Sequence, residues 1–106
     1  MIIKSEKAKS VEMFEGVHRK TMAMGEKMML VEFTFRAGSV VPSHTHPNEQ
    51  VGYMVKGKMK LKIGEKEHLV ETGDSYYIQP NIEHGATLID ESTIIDVFCP
   101  PREDYK

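Results

Sequence analysis

The chain has 106 residues, which is enough for one domain with a modest hydrophobic core. Its formal net charge is −2 and its acidic and basic residues are interspersed, so it has no basic stripe of the kind that binds nucleic acid. Its apolar runs are short, which predicts neither a membrane-spanning segment nor a signal peptide. Cys99 is the only cysteine, so no intrachain disulfide can form, and we expect a cytoplasmic protein.

Short strands separated by turns are predicted along most of the chain. Residues 10–25 fit either strands or a short helix, and we favour strands. The alternation of charged and apolar residues in 58–63, followed by a turn at Gly64, predicts an antiparallel hairpin. The other predicted strands are 28–35, 50–55, 67–71, 75–78, 82–89 and 93–98. Turns that recur every ~8–12 residues without a long helical period are typical of a β-sandwich or barrel.

Two histidines near the middle of the chain suggest a metal site. His44 and His46 are separated by one residue. On an extended strand such residues point to the same face, so both imidazoles can reach one ion. Gln50 and His84 can complete the site if the chain folds back twice. Glu49 would point to the opposite face of a strand from Gln50.

The spacing of these residues resembles the two motifs of the cupins, which are small jelly-roll β-barrels. The first motif is matched by Gly38, His44, His46, position 50 and Gly57, and the second by Gly73, Asn81 and His84. Asn81 replaces the usual glycine, and asparagine tolerates left-handed backbone angles. The match covers about residues 28–100 of a single predicted domain, residues 1–106. The resemblance implies an all-β fold, a cupin jelly-roll β-barrel or sandwich.

The same resemblance implies one bound metal ion and a set of four ligands: His44, His46, Gln50 and His84. Most cupins have glutamate where this chain has Gln50. An amide oxygen does not neutralise the ion, so the site keeps a charge of about +2 and favours anions and developing enolates. Histidine-rich ligation suits Zn, Ni, Mn, Fe or Co, and the residues do not select among them.

Three longer runs are similar to the pectin-degradation cupins of the KdgF type. They are residues 44–51, residues 73–86 and residues 95–104. This resemblance implies that the protein opens and ketonises 4,5-unsaturated monouronates from pectin or alginate breakdown, giving linear keto-deoxyuronates. The substrate is then a small carbohydrate acid, and the active-site residues are Asp96, Phe98 and Arg102. Small cupins also usually pair through exposed sheet edges, so we expect a homodimer.

The residue types fit those roles. Asp96 and Phe98 alternate on the last predicted strand, so they face the same side. Asp96 would transfer protons beside the cation, Phe98 would pack against the sugar ring, and Arg102 would bind the uronate carboxylate. Each also has a structural alternative: a hydrogen-bonded core carboxylate, a packed core aromatic and a solvated surface arginine. We expect Tyr76 and Tyr77 at the core or the rim, and Cys99 as a buried small apolar residue.

Two other functions remain open from the sequence. The first is a metal-containing cupin that binds or senses a small sugar without turnover. The second is another metal-dependent cupin enzyme, such as an iron dioxygenase or an isomerase. Iron oxygenases more often use two histidines and one carboxylate, which Gln50 does not supply.

Overall fold

The computed structural model describes residues 1–106, and its regular elements are almost all strands. The ten strands are β1 (Ser10–Phe14), β2 (Val17–Met24), β3 (Met29–Phe35), β4 (Val40–His44), β5 (Glu49–Lys56), β6 (Lys58–Ile63), β7 (Lys66–Glu71), β8 (Ser75–Ile78), β9 (His84–Leu88) and β10 (Ser92–Cys99). Single turns of 3₁₀-helix at Ser5–Lys7 and Glu103–Tyr105 lie near the two ends of the chain.

The strands form two antiparallel sheets that face each other, as in the predicted jelly roll. One sheet has six strands in the order β1-β2-β3-β10-β5-β8, and the other has four in the order β4-β9-β6-β7. Burial alternates along β5 and β10, so each strand turns one face inward. The inward side chains form one hydrophobic cluster: Val17, Met29, Val31, Phe33, Phe35, Met54, Met59, Leu61, Val70, Leu88, Ile94, Phe98 and Tyr105.

The predicted hairpin and the predicted N-terminal strands are confirmed. β6 and β7 pair from Lys58↔Glu71 to Ile63↔Lys66 around the Gly64 turn. Residues 10–25 contain two paired strands, β1 and β2, rather than a helix. The predicted strand 82–89 is shorter, because β9 begins only at His84. Asn81 has a φ of +64°, so the turn before β9 uses the left-handed backbone that the sequence predicted at this asparagine.

The expectation that Cys99 is buried was wrong. Cys99 is exposed, because the preceding residue, Phe98, points inward and strand alternation turns the next side chain outward. No helix in the structure is long and apolar enough to cross a membrane.

Candidate metal centre and cavity

The four proposed metal ligands come from three strands and one connection. His44 ends β4 and His84 begins β9, and the two residues lie directly opposite each other across the antiparallel pair. Their ring centroids are 4.3 Å apart. Gln50 belongs to β5 in the other sheet, and its side chain is buried. The ligands therefore come from both sheets.

His46 reaches the cluster by a different route from the one expected. The sequence placed His44 and His46 on one strand, but β4 stops at His44, and His46 lies in the connection to β5. The backbone N–H of Asn81 donates a hydrogen bond of 2.8 Å to the backbone oxygen of His46, which holds the connection in place. The three histidines still converge: their ligand atoms all lie within 4.8 Å of one another, which is close enough to hold a metal ion.

Each imidazole is oriented by a hydrogen bond to a backbone carbonyl. The Nδ1 atoms lie close to the oxygens of residues two positions away, at 2.9 Å for His44, 3.0 Å for His46 and 2.8 Å for His84. In a neutral imidazole, a proton on Nδ1 that donates to a carbonyl leaves the lone pair on Nε2. Metal-binding histidines are commonly oriented by this kind of hydrogen bond.

The contact between His46 and Gln50 also fits a shared ion. His46 Nε2 and Gln50 Oε1 are 3.0 Å apart. If Nδ1 of His46 carries the proton, both of these atoms are acceptors. A bound divalent ion would resolve this conflict, because both atoms could direct their lone pairs at the ion.

Burial keeps two of the histidines neutral and leaves one nitrogen without a partner. Burial lowers the pKa of His84 to about 4. The pKa of His46 is also lowered, first by burial and then by the charge of Arg102. His84 Nε2 is a buried polar atom without a hydrogen-bond partner, which is costly unless a ligand satisfies it. Neutral, pre-oriented imidazoles of this kind fit a transition metal ion.

A cavity of about 340 Å³ opens from this cluster between the two sheets. Its volume is at the small end of the range for ligand sites, and it has both an apolar lining and a few convergent polar groups. Asp96, Phe98 and Arg102, the three residues predicted at an active site, all line it. Asp96 and Phe98 are both buried on the inward face of β10, as their alternation predicted.

Asp96 is held between a tyrosine and the proposed ligand Gln50. The Tyr76 hydroxyl donates a hydrogen bond of 2.7 Å to Asp96 Oδ1. Burial raises the pKa of Asp96 to about 7, and hydrogen bonds from Tyr76 and Gln50 oppose part of that rise. Burial, followed by the charge of Asp96, raises the pKa of Tyr76 well above its usual value, so the hydroxyl keeps its proton. A carboxyl group of this kind can gain or lose a proton near neutral pH.

Arg102 is largely buried, so it is not the solvated surface arginine that the sequence allowed as an alternative. Its side chain is only 13% exposed. The guanidinium lies over the Phe98 ring at 5.5 Å and over the Tyr105 ring at 4.1 Å. It donates to Asp104 Oδ2 at 3.0 Å and to the Tyr105 hydroxyl at 3.0 Å. A planar cation is therefore present in the cavity wall and already binds a carboxylate.

The structure adds residues that the sequence did not assign to the site. Tyr76 packs against the core, as expected, and it also lines the cavity and hydrogen-bonds Asp96. In the sequence, only the alternation along β8 could have indicated that Tyr76 points inward. Asn48 is buried and donates to the backbone oxygen of Pro100, which joins the His46 connection to the segment after β10. His18 and His68 lie outside the histidine cluster.

Comparison with known proteins agrees with the fold. Residues 31–98 match the model of the family described as Cupin domain. The pectin degradation protein KdgF of Dickeya dadantii is 30% identical over 96 residues, which are 89% of this chain and 87% of that protein. The solved structure of KdgF from Halomonas sp. has a TM-score of 0.93 and 26% identity, and the alignment covers 100% of this chain and 98% of that one. A structure of an RmlC-like cupin from Shewanella frigidimarina also has a TM-score of 0.93, with 27% identity, and covers 99% of this chain and 95% of that one.

Proposed function

Because the chain belongs to the cupin family, we propose that it is a metal-dependent enzyme that converts 4,5-unsaturated monouronates from pectin or alginate breakdown into linear keto-deoxyuronates. One observation carries the proposal: a buried carboxyl group, Asp96, lies beside Gln50 in a cavity that also presents the guanidinium of Arg102. The similarity to KdgF of Dickeya dadantii supports the choice of substrate class.

The cavity offers a complementary group for each part of such a substrate. A uronate has one carboxylate, and Arg102 provides a planar fork of donors suited to bind it in a bidentate manner. The Phe98 ring gives the apolar face of the sugar a flat surface to pack against. To bind Arg102, the substrate carboxylate would replace the carboxylate of Asp104, which now occupies the guanidinium.

The reaction needs proton transfers and no added reactant. A proton leaves the anomeric hydroxyl, the bond between C1 and the ring oxygen breaks as the C1 carbonyl forms, and the resulting enolate becomes a ketone when a proton arrives at C4. Asp96 is the carboxyl group in the cavity suited to take up and return these protons, since its pKa of about 7 is near neutral pH.

His44, His46, Gln50 and His84 would hold the metal ion. When bound, a divalent ion supplies Lewis-acid polarisation of a substrate oxygen. Zn, Ni, Mn, Fe and Co all suit these donors. A cytoplasmic location is also part of the proposal, and the free, exposed thiol of Cys99 supports it because such a thiol suits a reducing compartment.

The test is a direct assay with the metal-loaded protein. An unsaturated monouronate absorbs ultraviolet light through its double bond conjugated to the carboxylate, and the product does not. We expect the protein to accelerate the loss of this absorbance over a solution that contains the metal alone. Binding of the uronate in calorimetry without any such acceleration would contradict the enzymatic proposal and support a non-catalytic sugar-binding cupin.

A further inference from the structure

The guanidinium in the cavity wall is already occupied by a carboxylate of its own segment. Arg102 is the only arginine or lysine that lines the cavity. Its Nε atom donates to Asp104 Oδ1 at 3.3 Å, and its Nη2 atom donates to Asp104 Oδ2 at 3.0 Å. Two such parallel bonds are the arrangement in which arginine holds a carboxylate most firmly. A ligand carboxylate that binds this edge of the guanidinium therefore has to displace Asp104.

The two members of this ion pair differ in how firmly they are held. The Arg102 side chain is 13% exposed, lies over two aromatic rings and also donates to the Tyr105 hydroxyl. The Asp104 side chain is 64% exposed, and its carboxylate accepts hydrogen bonds only from Arg102. Water can solvate the Asp104 carboxylate when it leaves, whereas the guanidinium would lose its packing. Asp104 is therefore the exchangeable partner.

Rotation of one side chain is enough to release the guanidinium. The backbone oxygen of Asp104 accepts a hydrogen bond of 3.2 Å from Arg19. The next residue, Tyr105, is buried, and its backbone oxygen accepts a hydrogen bond from Thr21. The backbone is thus fixed at the exchange point, while the Asp104 carboxylate can turn towards solvent about its Cα–Cβ bond. The segment after β10 can stay closed during the exchange.

We propose that Asp104 is an internal competitor for the ligand carboxylate: it occupies Arg102 in the empty cavity and leaves it when an acidic sugar binds. This inference rests on the proposed function, because it takes an acidic sugar as the ligand. A uronate can replace the two charge-assisted hydrogen bonds of Asp104 one for one. The hydroxyl of a neutral sugar brings no charge and cannot replace them. The exchange therefore favours ligands that carry a carboxylate.

The test measures the binding of D-galacturonate, an acidic sugar without the reactive double bond, to the Zn²⁺-loaded protein by calorimetry. Asp104→Asn keeps the shape of the side chain and removes its charge. We expect the variant to bind galacturonate about two- to fivefold more tightly than the wild type, the factor that corresponds to release of an exposed ion pair. A purely structural role for Asp104 predicts the opposite sign, because a loosened Arg102 would bind the anion more weakly.

The preceding residue offers a matched control. Glu103 is a carboxylate of the same 3₁₀ turn, but it pairs with Lys106 at 2.9 Å and its side chain is 84% exposed. Glu103→Gln removes the same charge from the same segment and leaves the pair of Arg102 and Asp104 intact, so we expect wild-type affinity for galacturonate. D-galactose is the control ligand. It has no carboxylate, so Asp104→Asn should not tighten its binding.

Several outcomes would overturn the inference. They are unchanged or weaker galacturonate binding by Asp104→Asn, an equal gain in Glu103→Gln, an equal gain for galactose, and no galacturonate binding by either the wild type or Asp104→Asn. The enzymatic proposal is decided separately, by the loss of ultraviolet absorbance from the unsaturated uronate. If Asp104→Asn binds galacturonate more tightly but the wild type converts no unsaturated uronate, the inference holds and the enzymatic proposal fails.

Discussion

Among single residues, Asp96 has an environment that folding alters strongly. It is buried, it accepts from Tyr76, and its pKa is raised to about 7. We expect Asp96→Asn, assayed at saturating metal, to convert unsaturated uronate at least about 100-fold more slowly than the wild type, because an amide cannot exchange the proton. Steady-state kinetics and the metal content of the purified variant would test this. A wild-type rate would remove Asp96 from the mechanism.

The folding stability of the metal-free protein depends on pH through His84. Burial lowers its pKa from 6.5 to about 4, so the unfolded chain takes up this proton before the folded one does. Its contribution to stability is present above pH 6.5 and is lost as the pH falls towards 4. We expect this loss to be at most about 3 kcal/mol, from 1.36 kcal/mol per pKa unit.

The contribution of Asp96 to stability changes with pH in the opposite direction to that of His84. The effect of His84 therefore has to be isolated by comparing the wild type with a variant. Because its pKa is raised from 3.8 to about 7, the stability that Asp96 contributes is lost as the pH rises through that interval. Urea unfolding of chelator-treated wild type and His84→Gln at pH 7 and pH 4.5 separates the two. Acidification should destabilise the wild type more than the variant, and equal losses would show that His84 is not buried in its neutral form.

At the scale of elements, the segment after β10 closes one end of the cavity. Tyr105 is buried, and its ring packs against Phe33 and Phe98 with centroids 6.1 Å and 5.6 Å away. Thr21 on β2 donates to the backbone oxygen of Tyr105. Arg19, on the same strand, donates to the backbone oxygen of Asp104 at 3.2 Å. The last residues are therefore part of the packed structure, although only one 3₁₀ turn is present there.

We expect Tyr105→Ala to lower the free energy of unfolding by about 3 kcal/mol, as loss of a buried aromatic ring usually does. Tyr105→Phe keeps the ring and loses only the hydrogen bond from Arg102, so it should cost about 1 kcal/mol. Urea unfolding of the two variants would measure both values. If both variants lost only a small and similar amount of unfolding free energy, the segment after β10 would not close the cavity in solution.

For the whole molecule, the outer face of the six-stranded sheet carries an apolar patch. This outer patch consists of six residues: Val51, Tyr53, Val55, Tyr77, Ile95 and Val97. The first four are exposed and the last two are half-buried. Residues of β5 form its centre. Glu49 and Lys56 stand at the two ends of that strand. In a face-to-face dimer with its two-fold axis perpendicular to β5, Glu49 would lie close to Lys56 of the partner subunit.

The sequence analysis expected pairing through sheet edges, but the outer patch lies on a sheet face. We expect two copies of this chain to associate through this patch instead, since a contiguous exposed apolar surface commonly marks an interface. Light scattering should then give twice the chain mass of 12.1 kDa. Tyr53→Glu would place a charge at the centre of the interface and should give the monomer. Leu69→Glu is the control, because Leu69 is an exposed apolar residue of β7 in the other sheet. A monomeric wild type, or a dimeric Tyr53→Glu, would contradict this interface.

Local patterns in the sequence were sufficient to predict most strands and the inward-facing residues of the last one. Period-two alternation and turn residues act over a few neighbours, so the hairpin of β6 and β7 and the left-handed Asn81 could be predicted without a structure. The spacing of His44, His46, Gln50 and His84 pointed to the residues that converge, although it placed His46 on a strand where the structure has a connection.

The arrangement of the cavity wall depended on contacts between residues far apart in the chain. Tyr76 and Asp96 are 20 residues apart in sequence, and they meet only because the pairing register puts Gly52 between them. From the sequence, Arg102 could equally have been a solvated surface arginine, whereas in the structure it packs over Phe98 and Tyr105. Sequence alone therefore determined which side chains face inward, because that depends on local alternation. Only the tertiary structure decided which of them touch, because strand order and register arise from packing of the whole chain.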